Sequence, residues 1–158
     1  SMLYIFDLDH TLIDSSHRAL TLPDGTLDLK HWRDNCTRKQ IMRDRLLPLG
    51  VNLVSSGLFG SGDQVIACTA RVMGNADFSF LRSHGLRFDY VLSRPEGNDL
   101  PDYKLKEKML RRYAILRRIP FARLMKTAVF WDDQSRIRDH FEAFGCRTFD
   151  PATINGDY

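Results

Sequence analysis

The 158-residue chain has only three cysteines, Cys36, Cys68 and Cys146, and no two of them form a C-x-x-C. That spacing excludes a disulfide framework and a structural zinc site. Cys68 and Cys146 sit in apolar runs and read as buried, inert thiols. No apolar run approaches the ~18 residues needed to cross a membrane. Asp7, Asp9 and Asp14 interrupt the only apolar stretch near the N-terminus, which argues against a secretory signal. Ser1 before Met2 reads as an expression scar. The setting expected from these absences is a reducing cytoplasm, with no membrane and no obligate protein partner. No G-x-x-x-x-G-K-[ST] occurs, so no P-loop kinase half is expected, and "GSGD" at 60–63 is a turn. Repeats, low-complexity tracts and interdomain linkers are also missing, so residues 2–158 are expected to form one domain with one core.

Charge of one sign is scarce in one region only. The net charge is +3, yet residues 104–126 hold nine Lys or Arg against a single acid, Glu107, which leaves the remainder net acidic. Two readings stay open: a polyanionic partner, or a solvated helix face.

Short runs rich in β-branched and aromatic residues occur at Leu3–Leu8, Gln64–Thr69, Phe88–Leu92 and Thr127–Trp131, with a weaker one at Cys146–Phe149. Helical patterns lie between them: Asn75–His84 before Gly85, Leu100–Arg118 after an N-cap at Asp99, and Ser135–Phe144 before Gly145. This alternation predicts an α/β fold with an open, mostly parallel sheet. Residues 15–63 break the rhythm. They carry the Pro/Gly loop "LTLPDGTLD" and helical stretches at Leu29–Cys36 and Lys39–Leu47, and read as a small, mainly helical, cap-like insertion after the first strand.

The first strand ends in "DLDHT". Side-chain alternation puts Asp7 and Asp9 on one side, at its carboxyl end. Alone, a D-x-D is weak, because acids often follow strands as turn residues. A second acid pair, Asp132 and Asp133, ends another apolar strand in "TAVFWDDQ". Two strand-end acid pairs in one α/β domain suggest a shared hard-cation site, and oxygen-only ligation suits Mg²⁺. Thr69 ends the second strand, with Arg71 two residues on. In the basic helix, Leu105, Met109, Tyr113 and Leu116 are expected to form the apolar stripe. Lys106 lies beside that stripe and is preferred over Lys104 as the inward lysine.

In this order the residues resemble the four motifs of the haloacid dehalogenase superfamily: D-x-D-x-T (Asp7, Asp9, Thr11), Thr69, Lys106, and Asp132 with Asp133. His10 departs from the pattern, since most members carry Gly there. Within the superfamily the closer resemblance is to the 3′-phosphatase domain of phage polynucleotide kinases and its stand-alone relatives. Arg18, Arg71, and "SRPEGNDLPDYKLK" with Asp102 and Lys106 carry that likeness.

The resemblance implies a Mg²⁺-dependent phosphomonoester hydrolase with Asp7 as nucleophile and Asp9 as proton shuttle. It implies metal ligation by Asp7, the backbone carbonyl of Asp9 and Asp132, with Asp133 at one remove. Thr69 and Lys106 would hold phosphoryl oxygens, Arg18 and Arg71 would contact substrate, and Asp102 would orient Lys106. The preferred substrate is a 3′-phosphate at a nucleic-acid end; the alternative is a mononucleotide or other small phosphomonoester. Trp32 either stacks on a base or packs the insertion onto the domain. A dehalogenase has no use for a second acid such as Asp9. A receiver-like domain would need an Asp after the middle strand, where "LSRPEG" has none in the right place, and a non-catalytic phosphate-binding module would be expected to have lost Asp7 or Asp9.

Overall fold

The computed structural model describes all residues from Ser1 to Tyr158. Five parallel strands form the main sheet: β1 (Leu3–Phe6), β4 (Gln64–Thr69), β5 (Tyr90–Ser93), β6 (Ala128–Trp131) and β7 (Arg147–Phe149), in the order β5-β4-β1-β6-β7. The chain leaves the central β1 to one side and later returns to the other. This reversal opens a crevice at the carboxyl end of β1, where open α/β sheets bind ligands.

Register sets what faces that crevice. Phe6 pairs with Ala67 on one side and Trp131 on the other, so the next residues, Asp7 and Asp132, emerge side by side. Asp7 N–H donates to the Trp131 carbonyl at 3.0 Å, fixing that level.

Both faces of the sheet are covered, which is why the strands read as nearly continuous apolar runs. One core joins Leu3, Ile5 and Phe130 to α5 (Asp102–Arg117), α6 (Phe121–Lys126) and α7 (Ser135–Glu142). The other joins Phe6, Leu8 and Val65 to α3 (Pro48–Ser55) and α4 (Asn75–Ser83). No helix is long and apolar enough to cross a membrane.

The insertion is smaller than the sequence suggests. A two-stranded antiparallel ribbon, β2 (Ile13–Asp14) with β3 (Arg45–Leu46), closes the chain on itself. Only the part between these strands, with α1 (Leu29–Asp34) and α2 (Arg38–Ile41), stands beside the sheet. The remainder of the expected 15–63 segment is the crossover itself, because Leu49 and Leu53 of α3 are buried in the core. Gly50 allows this close packing: a Cβ there would meet the Leu12 carbonyl oxygen at 2.6 Å.

Other boundaries move for local reasons. The Lys39–Leu47 stretch is divided between α2 and β3. Pro101, not Asp99, occupies the N-cap of α5. The buried stripe of α5 is Leu105, Lys106, Leu110, Tyr113 and Ala114, whereas Leu116 is exposed. Five elements were not anticipated: β2, β3, α3, α6 and α8 (Ala152–Asn155).

Candidate active site

The loop after β1 is held by a single carbonyl. Leu8 C=O accepts the N–H groups of Thr11, Leu12 and Ile13 at 2.9–3.1 Å. That turn requires a left-handed residue, and His10 supplies it with φ +65°. At this position a side chain is strained and Gly is not, so His10 carries a conformation that Gly adopts freely. His10 Nδ1 lies 2.6 Å from the Tyr158 hydroxyl.

Asp7, buried at the tip of β1, accepts from Thr11 Oγ1 at 2.9 Å and from Lys106 Nζ at 3.0 Å. Lys106, enclosed on the first turns of α5, also donates to Asp132 Oδ2 at 2.7 Å. The N–H of Gln134, which caps α7, donates to Asp132 Oδ1 at 3.0 Å. One ammonium therefore bridges carboxylates from two neighbouring strand ends.

The electrostatics are unfavourable without a further cation. Burial pushes Asp7 up to about 7 against the lowering pull of Lys106. Burial and the Asp7 charge push Asp132 up to about 6, and burial raises Asp133 as well. Burial alone would lower Lys106, but Asp7 and Asp132 outweigh it and raise the ammonium above its ordinary value. Ligand oxygens of Asp7, Asp132 and Asp133 all lie within 4.8 Å of one another. An all-oxygen, carboxylate-rich donor set of this kind fits a small divalent cation such as Mg²⁺. The Asp9 side chain stands outside that trio.

Asp9 is gripped elsewhere. Arg71 approaches it side-on, Nε donating to Oδ2 at 3.1 Å and Nη2 to Oδ1, while Ser15 Oγ donates to Oδ1 at 2.6 Å. Burial would raise this carboxyl, but Arg71 and Ser15 overcome it and hold Asp9 down at about 2. Arg71 Nη1 is anchored at 2.8 Å by Asp77, which also accepts from Gly74 N–H at the start of α4.

Thr69 is buried at the end of β4, its Oγ1 accepting the Arg71 N–H at 3.0 Å. Three residues expected at the substrate make ion pairs or hydrogen bonds within the protein. Arg71 is enclosed and paired with Asp9 and Asp77. Arg18 is 1 % exposed and forms a two-pronged pair with Asp44 at 2.9 Å for both contacts. Asp102 does not touch Lys106; it accepts from Arg94 at 2.8 Å and Gln134 at 3.3 Å. The Arg18 guanidinium lies over Trp32, 4.2 Å from the ring centroid, within the insertion, and Arg71 of the body lies 5.7 Å from the same centroid.

Sequence reading passed over Asp44, Asp77 and Ser15. Asp77 had a signal, an acid three residues past Gly74 at a helix start. Asp44 had none, because nothing near it in the chain shows what it faces.

A parallel α/β sheet whose central strand ends in a carboxylate, bridged by a lysine to a second strand-end acid, is the fold of the haloacid dehalogenase-like hydrolases. Solved structures share the fold. A haloacid dehalogenase-like hydrolase of Streptococcus pneumoniae superposes with a TM-score of 0.68 at 14% identity, covering 94% of this chain and 83% of its own. A chain of the Pnkp1/Rnl/Hen1 RNA repair complex superposes with a TM-score of 0.58 at 20% identity, covering 94% of this chain and 42% of its own.

The chain belongs to the bacteriophage T5 5′-deoxynucleotidase family, which it matches over residues 1–157. It is 40% identical over 90 residues to the 5′-deoxynucleotidase of Escherichia phage T5, a match covering 55% of this chain. The matched region spans 36% of that longer relative.

Proposed function

We propose that the chain is a phosphatase of nucleoside 5′-monophosphates, with deoxynucleotides its preferred substrates, working through a phosphorylated Asp7. The observation that carries the chemistry is the Lys106 bridge between Asp7 and Asp132. It holds a carboxylate in place beside a charge able to receive phosphoryl oxygens. The family description supports the substrate class.

An Asp7 oxygen attacks phosphorus and the ester P–O bond breaks, leaving an acyl phosphate and the nucleoside alcohol. Asp9 gives the departing alkoxide its proton, then takes one from the water that cleaves the acyl phosphate. Asp9 is ionised in the free protein. A phosphate arriving beside it brings a second anion, which raises its proton affinity. Lys106 and the Thr69 hydroxyl hold the remaining phosphoryl oxygens. Asp7, Asp132 and the Asp9 carbonyl, with Asp133 at one remove, would hold Mg²⁺, which would supply positive charge to the phosphoryl group.

The family description favours a nucleotide over the 3′ end of a nucleic acid. Arg18, invoked for phosphodiester contacts, pairs with Asp44, and Arg71 grips Asp9. Of the exposed basic residues of α5, Lys104 and Lys108 lie beside Lys106, whereas Arg111, Arg112 and Arg117 lie further along the helix, which rises about 1.5 Å per residue. Phosphate release from deoxynucleoside and ribonucleoside 5′-monophosphates, a 3′-phosphorylated oligonucleotide and an aryl phosphate, each with and without Mg²⁺, tests this reading. Deoxynucleoside 5′-monophosphates should turn over at least about tenfold faster than the oligonucleotide. Faster release from the oligonucleotide would overturn it.

A further inference from the structure

We infer that Asp44, at the closing end of the insertion, is a positioning residue for Asp9, acting through Arg71. The inference rests on the reading of Asp9 as the proton donor to the leaving group.

Asp44 is fully enclosed and surrounded by cations. Its Oδ1 accepts from Arg18 Nε at 2.9 Å and His17 Nε2 at 2.7 Å, and its Oδ2 from Arg18 Nη2 at 2.9 Å. The same Oδ2 lies 3.6 Å from Arg71 Nη2, the nitrogen whose hydrogen bond goes to Asp9. Arg71 therefore stands among three carboxylates. Asp77 fixes it from α4, Asp9 receives its side-on edge, and Asp44 lies behind that edge.

The Arg18 and Arg71 guanidiniums lie near the same Trp32 ring, at 4.2 and 5.7 Å from its centroid. Two like charges that close repel unless an anion is shared between them, and in a buried setting the repulsion is weakly screened. Asp44 is that anion. Without its charge, Arg71 loses one attraction and gains an unbalanced neighbour, and its geometry on Asp9 changes. Asp44 immediately precedes β3, while Arg18 and Trp32 belong to the insertion, and α2 packs against α4. The insertion is thus part of the support of the proton donor and not a detachable cover.

The test separates proton donation from the rest of the reaction. Asp44→Asn, which keeps shape and hydrogen-bond acceptance, is compared with wild type and Asp9→Asn in Mg²⁺. The substrates are a nucleoside 5′-monophosphate, whose alkoxide needs a proton, and an aryl phosphate with a stable leaving anion, read as the pre-steady-state burst. Asp44→Asn should lower kcat on the nucleotide at least about tenfold, with KM and the burst rate within about twofold of wild type. Arg18→Lys, which keeps charge but loses the two-pronged pair, should show the same split, and serves if the first variant fails to fold. Nucleotide kcat within about twofold of wild type, or an equal loss on both substrates, would overturn the inference. Asp9→Asn reports on the underlying reading: if it still turns over the nucleotide, the assignment of Asp9 fails whatever Asp44 does.

Discussion

Lys106 Nζ lies 3.0 Å from Asp7 Oδ1, although the two residues belong to elements separated by most of the chain. Replacing Lys106 by Met keeps the length and removes the charge, leaving Asp7 and Asp132 facing one another. Phosphate release should fall at least about a hundredfold, while circular dichroism in Mg²⁺ stays that of the folded chain. Substantial residual turnover would show that the ammonium does not serve the transferred phosphoryl group.

Stability should depend on pH in a direction set by the same carboxylates. Asp7 and Asp132 are raised from 3.8 to about 7 and about 6. A carboxyl raised on folding binds more protons folded than unfolded, so stability falls as pH rises between its ordinary value and its folded one. Lys106, raised by its partners, stabilises throughout the range below 10.5 and does not shape this window. Asp9, held at about 2, contributes stability that is lost only as pH falls from 3.8 through 2. Thermal midpoints in chelator should therefore decline from about pH 4 to about pH 7, and Mg²⁺ should flatten or reverse the decline. A flat profile in chelator would contradict the burial argument.

Arg18 offers a clean contrast between support and substrate contact. Arg18→Ala strands the buried Asp44 charge and should cost about 3–5 kcal/mol in urea melts. A direct substrate contact would instead raise KM and leave the unfolding midpoint unchanged.

His10 tests the loop. At φ +65°, His10→Gly should stay within about 1 kcal/mol of wild type, since relief of strain offsets loss of the Tyr158 contact. His10→Val should be less stable than His10→Gly by about 1–2 kcal/mol, because a β-branched residue resists the left-handed region. Equal stability of the two variants would mean that the turn relaxes when substituted.

Much of this protein is legible in the chain because its chemistry sits at strand ends. Apolar runs followed directly by Asp7, Thr69 and Asp132 declare both the strand and the residue it presents, and parallel register then aligns them. The family pattern added Lys106 by its order along the chain, and the stripe on α5 turned it inward although Leu116 does not belong to that stripe. The family pattern picked out Arg18 and Arg71, as substrate contacts, but neither source reached Asp44 or showed that the three charges meet. Their meaning depends on which opposite charge lies within 4 Å, and that is fixed only when the insertion folds back onto α4. Local patterns thus determined the sheet and the acids at its strand ends. Tertiary packing alone decided which charges hold one another.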